Sequence, residues 1–83
     1  DTQSIRREQR ILREKLDRLL NRITKTEENL ERFTGKGAES IRSQYEKSMG
    51  ADKKEAEDIK SKLKMLRQAS QRAESEKAQS EED

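Results

Sequence analysis

The chain contains no cysteine, histidine, proline or tryptophan in its 83 residues. Without cysteine, neither a disulfide nor a thiolate metal site can hold the fold. Without histidine, the commonest general base and the imidazole ligand of many metal sites are both missing. Without proline, the residue type that most strongly breaks a helix interior is missing. We therefore expect a helical protein that is not an enzyme and that uses neither a cofactor nor a metal ion.

Hydrophobic residues are also scarce, at 27% of the chain, whereas charged residues make up 46%. A chain of this length and composition does not have the apolar side chains needed for a globular core. No apolar run approaches the length of a membrane span. Together with the lack of cysteine, this composition predicts an extended helical assembly with a cytoplasmic location.

The most informative pattern is a heptad repeat in the first half of the chain. From Ile5 onward, mostly apolar residues recur in alternating steps of three and four, as in a coiled-coil helix, with the polar residues Gln9 and Thr26 at two of the positions. The repeat continues through Gln9, Leu12, Leu16, Leu19, Ile23, Thr26, Leu30 and Phe33. Because so narrow an apolar stripe must be covered by another helix, we predict an all-α fold, an antiparallel coiled-coil hairpin that forms a single domain over 1–83.

Two sites compete for the turn of this hairpin. Gly35 and Gly37 form one turn signal at 34–37. The other lies at 49–52, where Gly50 can end a helix and Asp52, with Glu55 three residues later, resembles a capping box. The sequence favours the second site, although the first stays open as the alternative.

A turn at 49–52 makes the N-terminal helix longer than its partner. Helix one then covers about 4–48 with a glycine interruption at 35–37, helix two covers about 52–78, and 79–83 forms an acidic tail. In this register Gly37 faces Leu63, and the N-terminal segment extends beyond the cover of helix two. We therefore expect a self-association surface there, and a homodimer, formed by Ile5, Leu12, Leu16 and Leu19.

Charge is unevenly distributed although the net charge is only +2. Residues 5–25 contain eight basic and three acidic side chains, and a second basic cluster comprises Lys60, Lys62, Lys64 and Arg67. Such clusters could contact phosphates, but acidic residues alternate with them and aromatic residues for base stacking are nearly absent. We do not expect nucleic acid or a membrane as the main partner.

The segment Glu31–Arg42 resembles the signature of the Rho-effector homology region one (HR-one, or REM-one) repeats. These repeats occur in protein-kinase-N-type kinases and in F-BAR Cdc-forty-two-interacting adaptors. Gly37-Ala38-Glu39 followed by Ile41 matches a step that lies late in the first helix of those hairpins. Tyr45 to Gly50 is similar to the helix end and turn of the F-BAR adaptors.

The resemblance implies a signal-transduction module that binds an activated Rho-family small GTPase through protein–protein interaction. Its contacts would come from exposed basic residues near the motif and on helix two, for which we name Arg32, Lys36, Arg42, Lys60 and Lys64. The alternative function is a dimerising or scaffold coiled coil of a larger cytoskeletal or trafficking protein.

Overall fold

Two long helices form an antiparallel hairpin. The structure is a computed structural model that describes residues 1–82, with side chains described for 1–76. Helix α1 covers Thr2–Arg32 and helix α2 covers Glu39–Glu82. Ion pairs join Lys15 to Glu55 and Arg22 to Asp52, so that later residues of α1 meet earlier residues of α2. The predicted all-α antiparallel hairpin is confirmed, as a rod about 72 Å long.

The chain turns at 33–38, and the predicted turn at 49–52 is wrong. Gly35 and Gly37 have φ values of +106° and +89°, in the region that side chains other than glycine rarely adopt. The backbone N–H of Ala38 donates to the carbonyl of Gly35 at 3.4 Å and closes the loop. Two glycines at these positions allow the chain to reverse within six residues, which ends α1 at Arg32 rather than near 48.

Gly50 and Asp52, which suggested the other turn, both lie within the continuous helix α2. Gly50 has no positive φ and is exposed on the outside of the helix. Asp52 is not a cap, because its side chain is buried against α1. Gly37 does not accommodate Leu63 either, since nothing lies within 4 Å of a Cβ built at Gly37.

The core is a narrow seam along both helices. The buried apolar residues are Leu19, Ile23, Ala56, Ile59 and Leu63. The α2 side of the seam keeps steps of three and four throughout the described side chains, at Ala38, Arg42, Tyr45, Met49, Asp52, Ala56, Ile59, Leu63, Leu66, Ser70 and Ala73. Because α2 covers 44 residues against 31 in α1, the N-terminal helix is the shorter one, contrary to the prediction.

The turn end is held by Arg42 and by an aromatic pair. Nη1 of Arg42 donates to the carbonyls of Leu30 at 3.3 Å and Phe33 at 3.0 Å. These carbonyls at the end of α1 would otherwise have no partner within the helix. The rings of Phe33 and Tyr45 stack with centroids 5.5 Å apart. Arg42 and Tyr45 thus fix the start of α2 against the end of α1.

At the other end of the hairpin, Asp1 caps α1. Its Oδ1 accepts from the backbone N–H of Gln3 at 3.1 Å, which satisfies one of the free N–H groups of the first turn. The acidic tail predicted at 79–83 lies outside the residues whose side chains the structure describes.

Candidate interaction surface

The buried seam divides the surface of the hairpin into two long edges. On the first edge, Lys15 Nζ lies 3.0 Å from Glu55 Oε1. We call this edge the Lys15 edge. On the other, Lys53 Nζ lies 4.0 Å from Glu27 Oε1. Arg13 is two heptads before Glu27 and therefore lies on that second side, which we call the Arg13 edge.

Charges on the Lys15 edge are complementary. Arg22 donates from Nε to Asp52 Oδ2 at 2.8 Å and from Nη2 to Oδ1 at 2.7 Å. These hydrogen bonds from Arg22 are the main reason that the pKa of Asp52 lies below its ordinary value of 3.8, and the same bonds raise the pKa of Arg22. The pair therefore stays fully charged at neutral pH and connects the two helices.

Sequence reasoning missed the role of Asp52 by assigning it to a helix cap. A usable signal was present in the heptad spacing, because position 52 lies three residues after Met49 and four before Ala56. That register places an acidic side chain in the seam, where a charge is costly unless it has a partner. Arg22, one heptad after Lys15 on the facing helix, is the basic residue within reach.

Two large aliphatic side chains project from the outer part of the Lys15 edge. Met65 is 67% exposed and Ile11 is 54% exposed. Met65 lines a shallow groove together with Glu8 and Lys62, and Ile11 follows Glu8 by one helical turn. Both side chains therefore lie on the same side of the hairpin, where neither contributes to the buried seam.

The five residues predicted as partner contacts do not form one site. Arg32 and Lys36 are exposed at the turn end, whereas Arg42 is half-buried and caps α1. Lys60 and Lys64 are exposed, and Lys60 pairs with Glu57 at 3.2 Å. Lys60 lies 18 residues beyond Arg42 in one helix, about 27 Å along its axis. The prediction therefore combined two separate regions.

The residues predicted to form a self-association surface are largely used within one chain. Leu19 is buried, and Leu12 and Leu16 pack against the core cluster that it forms with Ile59 and Leu63. Ile5 is half-buried at a seam position further toward the N-terminus. Because α2 covers α1 along its length, a second copy cannot use this leucine stripe without opening the hairpin.

The motif residues on which the family resemblance rests also differ in position. Gly37-Ala38-Glu39 lies in the turn and at the start of α2, not late in the first helix as in the HR-one repeats. Tyr45 is inside α2 rather than at a helix end.

Comparisons with known proteins give no significant match to a protein-family profile, a curated protein or a solved structure. Within the described residues, no group of three or more acidic side chains is placed to hold a metal ion. No helix in the same part of the chain is long and apolar enough to cross a bilayer. The surface chemistry of the hairpin is therefore the basis for assigning a function.

Proposed function

We propose that this chain is a non-catalytic protein-interaction module that works in the cytoplasm. The observation that carries the proposal is the exposure of Ile11 and Met65 on the Lys15 edge. The buried core contains few apolar side chains, and yet these two large ones remain outside it. Aliphatic side chains flanked by Glu8, Lys15 and Lys62 match the composition of a protein interface, with an apolar centre and a charged rim.

The narrower candidate for the partner is a Rho-family GTPase in its GTP-bound state. Support for it comes from the resemblance over Glu31–Arg42 and from the basic side chains of Arg32 and Lys36, exposed at the turn. Basic side chains at that end would steer the approach of an acidic partner surface. The different position of the Gly37-Ala38-Glu39 step counts against this candidate.

The second candidate is a dimerising or scaffold coiled coil. A homodimer of intact hairpins would have to use the outer surface, with Ile11 and Met65 in the interface, because the leucine stripe is already covered. The same two residues thus serve either a different protein or a second copy.

Titration against Rho-family GTPases, in GTP-analogue and GDP forms, separates these candidates when combined with light scattering on the chain alone. A GTPase partner at this edge would be supported if binding depends on the nucleotide and is abolished by the double variant, Ile11→Glu with Met65→Glu. A concentration-dependent dimer abolished by the same change would support the scaffold. A monomer that binds no GTPase would rule out both narrower candidates, and retention of every interaction by the double variant would contradict the proposed surface.

A further inference from the structure

Two basic segments that are far apart in the sequence lie side by side on the Arg13 edge. The ion pair between Glu27 and Lys53 fixes which residues share this edge. Counting heptads back along α1 and forward along α2 from that pair, and adding the neighbouring turn of each helix, gives six exposed basic side chains within 6–13 and 60–67: Arg6, Arg10, Arg13, Lys60, Lys64 and Arg67. The same positions outside these two ranges contain acidic residues, Asp17, Glu57 and Glu74, and Glu57 pairs with Lys60 at 3.2 Å. The turn at 33–38 is what brings them together.

Like charges face each other in this set. Arg13 lies two heptads before Glu27 and Arg67 lies two heptads after Lys53, so the two arginines occupy facing positions. Like-charge neighbours destabilise a helical pair by a few tenths of a kcal/mol, about as much as opposite charges stabilise it. By the same count, Arg6 faces Glu74 and Lys60 faces Leu20, so Arg13 and Arg67 are the like-charged facing pair of this edge. That pair does not contribute to the stability of the hairpin, whereas an anionic ligand would use both arginines.

We propose that the Arg13 edge binds an acidic α-helical segment of a partner protein. This inference rests on the proposed function, because it also takes the partner to be a protein, but it uses the opposite edge and different residues. Four of the six basic side chains are arginines, whose guanidinium groups form two parallel hydrogen bonds to a carboxylate.

The spacing of the cations matches a helix. Three cations follow each other in steps of three and four along each helix, over about 10 Å, and packed helix axes lie about 8–10 Å apart. Glutamates at the same spacing on a third helix would each lie between a cation of α1 and a cation of α2. Leu20, 40% exposed and one heptad after Arg13, offers a contact for an aliphatic residue of that third helix.

The same observations argue against nucleic acid and a bilayer as the ligand. Single-stranded nucleic acid is usually bound by aromatic side chains that stack on bases. Phe33 and Tyr45 stack on each other instead, and Phe33 is about 30 Å along α1 from Arg13. A bilayer surface requires a broad apolar face, and the exposed Ile11 and Met65 lie on the other edge.

Fluorescence anisotropy with the whole chain and a labelled peptide tests the inference. The probe is a helical peptide of about 20 residues with glutamates in steps of three and four and a leucine one heptad further. Its control has the same composition with the glutamates spread around all faces. The test variant is Arg13→Glu with Arg67→Glu, and the matched control variant, with an equal change in net charge, is Arg18→Glu with Arg72→Glu. Circular dichroism verifies that each variant is folded. If a variant is unfolded, glutamine is introduced at the same positions in place of glutamate.

We expect the test variant to bind the patterned peptide at least about tenfold more weakly, and the control variant less than about threefold more weakly. Equal binding of both peptides, or equal loss in both variants, would overturn the inference. So would tighter binding of duplex DNA or phosphatidylserine vesicles that depends on Arg13 and Arg67. Because Ile11→Glu with Met65→Glu tests the proposed function on the other edge, the two proposals can fail separately.

Discussion

Arg22 and Asp52 form a two-pronged ion pair whose members differ greatly in exposure. The Asp52 side chain is 9% exposed, whereas that of Arg22 is 62% exposed. If Asp52 is removed, Arg22 can return to water. If Arg22 is removed, the Asp52 carboxylate remains buried without its partner, which is the costlier situation.

The first prediction follows from this asymmetry. Arg22→Ala should lower the free energy of unfolding more than Asp52→Ala does, and Asp52→Leu should equal or exceed the wild type, because leucine suits a buried seam position. Urea denaturation of the three variants measures the order. Equal losses in Arg22→Ala and Asp52→Ala would show that the carboxylate is effectively solvated.

The second prediction concerns pH. Because folding lowers the pKa of Asp52 below 3.8, its contribution to stability is present above that pH and is lost as the pH falls through the folded-state pKa. The stability difference between the wild type and Asp52→Asn should therefore be constant from pH 7 to about pH 5 and shrink below about pH 4. If the stability difference grew as the pH fell, the ion pair between Arg22 and Asp52 would be contradicted.

The third prediction contrasts two glycines. Gly50→Ala should raise the free energy of unfolding by about 1 kcal/mol, because Gly50 is an exposed residue of α2 with open space at its Cβ. Gly37→Ala should lower it by about 1–2 kcal/mol, because its φ of +89° strains any side chain. Thermal denaturation gives both values. If the two stability changes had the opposite signs, the chain would turn at 49–52 instead.

The fourth prediction tests the seam. Leu63→Ala should cost about 2–4 kcal/mol, since Leu63 is buried in the cluster with Leu19 and Ile59. The matched control is Met65→Ala, two residues further on and exposed, which should change stability by less than about 0.5 kcal/mol. Similar effects of both changes in denaturant titrations would mean that the assigned face of α2 is wrong.

The fifth prediction concerns the Arg13 edge without a ligand. Arg67→Glu places opposite charges at the positions of Arg13 and Arg67, has no acidic residue three or four positions away in α2, and should raise the free energy of unfolding by a few tenths of a kcal/mol. The gain should disappear at high salt, because exposed charges are screened. A loss of stability at low salt would show that the two arginines do not face each other.

Much of the fold could be predicted from the sequence. The heptad steps from Ile5 to Phe33 correctly identified the buried side of α1. The turn could not be chosen in this way, because Gly50 with Asp52 imitates a local helix boundary. What decides between the sites is a tertiary effect: Asp52 gains Arg22 as a partner, and the register of α2 then continues without interruption across Gly50.

The interaction surface was harder to predict for the same reason. The basic residues near Arg10 and those near Lys64 are each visible in the sequence, but the turn determines whether they meet. With a turn at 49–52, Lys64 would lie near position 36 and far from Arg10. The observed turn places them on one edge, so an error of about 15 residues in the turn hid the surface altogether.

The most direct test of the account is the distance between nitroxide labels on Arg10→Cys and Lys64→Cys, measured by double electron–electron resonance. The chain has no cysteine of its own, so labels attach only at these two positions. The hairpin described above predicts a narrow distribution at about 20 Å, from adjacent helix axes and two label arms. A hairpin that turns at 49–52 would separate the labels by about 40 Å along α1, and that result would contradict both the fold and the basic surface built on it.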